Sequence, residues 1–106
     1  MKRIFICSPL AGDIKKNIKF AEQKANEIAI NGNLPLCPHQ IARYLDDNNA
    51  EERALGMRLS LELLKLADIV MVYGKSITPG MAGEIKTADV LNKYIVYKEK
   101  TGDDDV

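Results

Sequence analysis

Four short apolar runs, Arg3-Ile4-Phe5-Ile6-Cys7, Leu34-Pro35-Leu36-Cys37-Pro38, Ile69-Val70-Met71-Val72-Tyr73 and Tyr94-Ile95-Val96-Tyr97, are separated by stretches of helical spacing, and this alternation limits the chain more than any other feature. A run that is apolar at consecutive positions fits a strand buried on both faces, which is the situation in a parallel sheet. Parallel neighbours need a crossover between them, and such crossovers are right-handed. The expectation is an α/β fold: one Rossmann-like domain with a short parallel sheet of four or five strands and helices on both faces. A chain of 106 residues, 46% of them hydrophobic, can bury one core of this kind but not two.

The intervening segments carry their own signals. After the first run, Ile14, Ile18, Ala21, Ala25, Ile28 and Ala29 mark one face of a helix. Asp13 stands at its start as an N-cap, and Asn31-Gly32-Asn33 ends it with residues that tolerate the left-handed conformation. The two prolines of the second run cannot donate to a ladder, which places that strand where those amides are not needed. A short helix is expected over residues 40–45, then a capped restart near Asn49. Met57, Leu61, Leu64 and Ala67 mark the inner face of the second long helix, and Met81, Ile85, Ala88, Val90 and Leu91 form a third. The domain is expected to span residues 1–98. Residues 99–106 include Thr101-Gly102-Asp103-Asp104-Asp105 without apolar spacing and read as a disordered acidic tail.

Charge narrows the partners. Fifteen basic and fifteen acidic side chains cancel, so no global field draws the protein to nucleic acid or to an anionic membrane. A small-molecule ligand is the expectation. The opening Met1-Lys2-Arg3 runs into an apolar stretch of about five residues, too short for a signal-peptide core or a membrane span, so a cytoplasmic location is expected. Cys7 and Cys37 lie within apolar runs and lack zinc-ligand spacing. They read as reduced core thiols, and neither a metal nor a cofactor is expected.

In open parallel sheets ligands bind beyond the carboxyl ends of the strands. Three segments meet there. The first is the loop of Ser8, Pro9, Leu10, Ala11, Gly12 and Asp13, which opens a helix whose free N–H groups suit an anion such as phosphate. An ordinary rigid turn is the competing reading. The second is His39, the single histidine, just past the second run and able to bond a phosphate, a base or a hydroxyl; a structural turn residue is the alternative. The third is Thr78-Pro79-Gly80-Met81-Ala82-Gly83-Glu84. Its glycines admit close backbone approach, and Glu84 is expected in the first turn of the helix, where a carboxylate is favoured. A carboxylate there could attack a sugar carbon, or simply be a helix-start glutamate. Arg53 and Arg58 could offer a fork to phosphate or pair with carboxylates on a solvated face. Asp68 falls at the opposite edge of the sheet and reads as a turn residue.

Taken together, the strings IFICSPLAG (residues 4–12), ADIVMVY (residues 67–73) and Gly80-Met81-Ala82-Gly83-Glu84-Ile85 with Ala88 resemble the nucleoside 2-deoxyribosyltransferase superfamily. The compact length and the position of His39 look most like its small 2'-deoxynucleoside 5'-phosphate N-hydrolases and related proteins of bacteria and phages. The resemblance implies that Glu84 is the nucleophile, attacking the anomeric carbon to form a covalent sugar intermediate that water or a second base resolves. It places Ser60 where those enzymes carry a catalytic aspartate and Phe5 where they carry a tyrosine. Ligand contacts are implied at Ser8, Pro9, Leu10, Gly12, Asp13, His39, Arg58, Thr78, Pro79, Gly80 and Met81. Two readings follow: an N-glycosidic hydrolase or deoxyribosyl transferase acting on a nucleoside or nucleotide, or an inactive fold that binds or sequesters a nucleotide-derived ligand. The superfamily also implies a homodimer or higher homo-oligomer and chemistry without metal.

Overall fold

Strand β1 (Arg3–Cys7) is buried from Ile4 onward, and the sheet is arranged around it. The computed structural model describes residues 1–98. Along the chain follow α1 (Ile14–Ile30), β2 (Leu34–Leu36), a 3₁₀ helix (Pro38–Tyr44), α2 (Ala50–Leu64), β3 (Ile69–Tyr73), α3 (Pro79–Val90) and β4 (Tyr94–Lys98). All strand pairs are parallel, in the order β2-β1-β3-β4, so the expected four or five strands are four among the described residues. The expected tail, residues 99–106, lies outside the described residues.

Alternating side chains of β1 and β3 feed two separate cores, because successive residues of a strand face opposite ways. Ile4 and Ile6 join Ile69, Met71 and Tyr73 under α1, whose Ala21, Ala25 and Ile28 meet them. On the other face Phe5, Cys7, Val70 and Val72 pack with Leu64 and Ala67 at the end of α2 and with Met81, Ile85 and Ala88 of α3. Helices therefore cover both faces, α1 on one and α2 with α3 on the other. Cys7 and Cys37 are both free and belong to opposite faces.

Local chemistry explains most boundaries. Asp13 accepts from the Lys16 amide, Asn49 from the amides of Glu51 and Glu52, and Thr78 from that of Met81, so each long helix has a side-chain N-cap. Gly32, at φ 84°, makes the turn after α1. The proline-bearing β2 is an edge strand, as its missing amides require. Three details depart from the sequence expectations. The helical turns after β2 begin at Pro38 and are 3₁₀, because a proline fits a first helical position. The second strand closes at Leu36. Met57 is 57% exposed: the face of α2 that meets the sheet runs through Leu63 and Leu64, and Leu61 is only half-buried. Likewise Ala29, Val90 and Leu91 point to solvent.

Candidate active site

The strand order turns back between β1 and β3, and in doubly wound sheets the ligand crevice opens at that point. Two loops leave the sheet there, one after Cys7 and one after Tyr73. They come close: Gly74 sits at φ 115°, and a Cβ added to it would lie 3.6 Å from the Pro9 ring.

The first loop is held from two directions. From α1, the Asn17 side-chain amide donates to the carbonyls of Leu10 and Ala11, both at 3.0 Å, while Gly12 takes φ 100° and Asp13 caps the helix. From the 3₁₀ helix, His39 Nε2 lies 3.0 Å from the Pro9 carbonyl oxygen and 3.2 Å from Ser8 Oγ. A carbonyl only accepts, so Nε2 carries the hydrogen and Nδ1 is the acceptor. Nδ1 is buried and has no partner among the described residues. Burial also holds the imidazole below its ordinary pKa, which keeps it neutral. His39 and Ser8, both 4% exposed, thus form a buried polar pair that fixes the start of the loop.

The second loop leads into α3. Thr78 caps it through the Met81 amide at 3.2 Å, Pro79 occupies the first turn, and the Met81 side chain is buried in the core. Since α3 starts at Pro79, Glu84 is its sixth residue and stands in the second turn, not in the first turn as expected. The helix dipole falls off within one turn, and desolvation prevails: burial pushes the Glu84 carboxyl up to about 7. The nearby Cys7 side chain opposes that rise. Cys7 Sγ is also 3.8 Å from the Met81 carbonyl oxygen. Burial, and then the charge of Glu84, push the thiol far above its ordinary range, so it remains a protonated donor.

The remaining candidates fall in different places. Ser60 is half-buried on α2 one turn before the fully buried Leu64, hence on the face turned to the sheet. Arg58, two residues earlier and about 200° away around the helix, is exposed. Arg53 donates to the Asp47 carbonyl at 3.2 Å and closes the turn before α2. Phe5 is fully buried in the core. Asp68 accepts from the Arg3 amide at 2.7 Å and pairs with its guanidinium, tying the opposite edge of the sheet. Among the described residues no group of three or more histidine, cysteine or acidic side chains is placed to hold a metal, and no helix is long and apolar enough to cross a membrane.

Two members of this arrangement were not legible as site residues in the sequence. Asn17 is a polar residue within a helical pattern, and its only signal in the sequence is its place one turn past the Gly12-Asp13 start. Cys7 read as a core thiol, because nothing local reveals that α3 brings a carboxyl against it.

The fold is shared with solved proteins. A 2-deoxyribosyltransferase from the psychrotolerant bacterium Bacillus psychrosaccharolyticus superposes with a TM-score of 0.69, at 24% identity, over 94% of this chain and 74% of that one. A 2-desoxiribosyltransferase from Leishmania mexicana gives 0.68 at 18% identity, over 95% of this chain and 66% of that one. The CMP N-glycosidase of Clostridium botulinum gives 0.56 at 18% identity, over 92% and 69%. At these identities the likeness is one of fold, and this chain spans only about two thirds to three quarters of their lengths. No curated protein matches it in sequence. Residues 2–98 match the family described as "Domain of unknown function (DUF7768)", and the chain belongs to that family.

Proposed function

We propose that this protein cleaves the N-glycosidic bond of a nucleoside or nucleotide, with Glu84 as the nucleophile. The observation that carries the reading is the Glu84 carboxyl itself, largely buried on α3 and raised by that burial to about 7, at the order reversal of the sheet. The shared fold supports it, since two of the similar structures are deoxyribosyltransferases and the third is a CMP N-glycosidase. In the first step a Glu84 oxygen bonds to the anomeric carbon as the carbon–nitrogen bond breaks. The electron pair leaves with the base, which takes a proton from solvent. Water, or a second base, then attacks the same carbon and releases a proton to solvent, and the bond to Glu84 breaks to restore the carboxylate. We place the sugar between the two exit loops, with Ser8, Pro9, Leu10 and Gly12 on one side and Thr78, Pro79 and Gly80 on the other. The hydroxyl of Ser8, which accepts from His39, keeps its own hydrogen for a ligand oxygen.

One observation favours the second reading. Ser60, on the inner face of α2, offers a hydroxyl and no carboxylate, and Asp13 is engaged in capping α1. A pocket that binds a nucleotide-derived ligand without turning it over would have this composition.

The test is incubation with deoxyribonucleosides, their 5'-monophosphates and NAD-like dinucleotides, with free base followed by chromatography and melting followed in parallel. Base release that is lost in Glu84→Ala, while ligand still raises the melting temperature of the variant, supports the enzyme. Stabilisation of the parent without release selects the binder. Neither release nor stabilisation across the panel overturns both.

A further inference from the structure

The 3₁₀ helix that carries His39 belongs to a class of element with poor hydrogen-bond geometry, in which runs beyond three or four residues are uncommon. Here it runs for seven, Pro38–Tyr44. Two of its side chains reach across to α1. Gln40 Nε2 donates to Glu22 Oε2 at 2.6 Å, Arg43 Nε donates to the same oxygen at 2.9 Å, and Arg43 Nη2 donates to Glu22 Oε1 at 2.8 Å. Among the described residues, each side-chain hydrogen bond from this helix to α1 ends on Glu22. An exposed ion pair contributes little in isolation, but a bidentate fork inside a network is the exception. The Arg43 guanidinium also holds the Glu22 carboxyl below the usual carboxylate range, so the acceptor is charged at neutral pH.

These bonds complete a ring. It runs from Glu22 through Gln40 and Arg43 to His39, from His39 Nε2 to Ser8 and Pro9, along the loop to Leu10 and Ala11, and through Asn17 back to α1. We propose that Glu22 is a positioning residue for the first exit loop: by fastening the 3₁₀ helix to α1, it fixes the distance at which His39 and Asn17 hold the two halves of that loop. Glu22 stands two and a half turns past the cap of α1, and its carboxylate is taken up by Gln40 and Arg43, so it acts through His39. The positioning stands on this geometry alone. Its value to a ligand rests on the proposed function: a loop already held in its bound shape has less ordering left to pay when a nucleotide enters.

The first readout needs no ligand. His39 is the single histidine, so its ring N–H gives one nuclear magnetic resonance signal, and its exchange with solvent reports opening of the His39–Ser8–Pro9 contact. In Glu22→Gln that exchange is expected to quicken about two- to fivefold, the range of an exposed ion pair. The amide of Ile6, at the centre of the sheet, should not quicken equally. Arg43→Lys, which keeps the charge and loses the fork, should act alike, and the double variant should do no more than either change alone. Glu62→Gln, which breaks the exposed Lys65 pair on α2 instead, should leave the signal as it was. The second readout is binding of deoxyribonucleoside 5'-monophosphates, expected to weaken in Glu22→Gln by the same factor. An unchanged His39 signal, or equal quickening at His39 and Ile6, would overturn the positioning. Quickened exchange with undiminished nucleotide binding would overturn its value to the ligand. A parent protein that binds none of these nucleotides while the His39 signal responds as expected loses the proposed function and keeps the ring.

Discussion

Glu84 imposes a cost on the fold that it would repay in chemistry. Its carboxyl holds a proton more tightly in the native protein than in the unfolded chain, because burial raises it from 4.5 to about 7. Between those two values the native state binds more protons, so stability falls as pH climbs through that window and the full penalty is present above it. The size is on the order of 3 kcal/mol at most. Glu84→Gln removes the charge and keeps the shape. It should raise the melting temperature by up to roughly 12–24 °C at pH 8.5, with little change at pH 4.5, where the carboxyl is already neutral. An equal effect at both pH values would show that packing, not ionisation, is the cause. At this scale the sequence was least informative. Asp13 and Asn49 could be recognised as caps because a cap acts on amides two or three residues away. The partners of Cys7 and Asn17 could not be found that way, since each is set by tertiary contact or by the path of a loop.

At the scale of elements, the site depends on where α3 and α2 are pinned. Thr78 anchors the first turn of α3, from which Met81 enters the core. Thr78→Ala should cost about 1 kcal/mol in stability by chemical denaturation. Because that turn leads directly into the one that carries Glu84, the change should also weaken nucleotide-induced stabilisation, whereas Asn49→Ala, a cap of similar value on α2, should not do so to the same degree. Leu64 holds the end of α2 to the sheet and is fully buried, so Leu64→Ala should destabilise by about 2–5 kcal/mol. A loss below 1 kcal/mol would mean that the end of α2 repacks freely. The register of α2 was hard to read because Leu59, Leu61, Leu63 and Leu64 crowd one stretch, and several helical phases accommodate that pattern equally. The strands were easier. β1 and β3 are apolar at successive positions, which only two-sided burial rewards, and Pro35 marked β2 as an edge.

For the whole molecule, alternation of strand and helix was enough to reach a parallel sheet covered on both faces, because handedness and crossover length leave few other topologies. Quaternary structure is a separate question. Exposed apolar side chains remain on α2 and in the turn after it, with Leu59 at 40% and Leu66 at 53%. We expect this surface to be covered by a second copy, giving twice the 11.8 kDa of one chain by light scattering at micromolar concentration. Leu59→Glu should then shift the mass toward that of a single chain. A parent protein that already scatters as 11.8 kDa would remove the expectation.

The two cores that the sheet keeps apart have a mechanical corollary. One exit loop continues into α1 on the first face, the other into α3 on the second. A ligand gripped by both loops would act as a rivet through the two layers. Pulling the termini, or exchanging amide hydrogens at the tips of α1 and α3, should therefore meet more resistance when the crevice is filled, and the gain should be greatest at those tips rather than in the middle of the sheet.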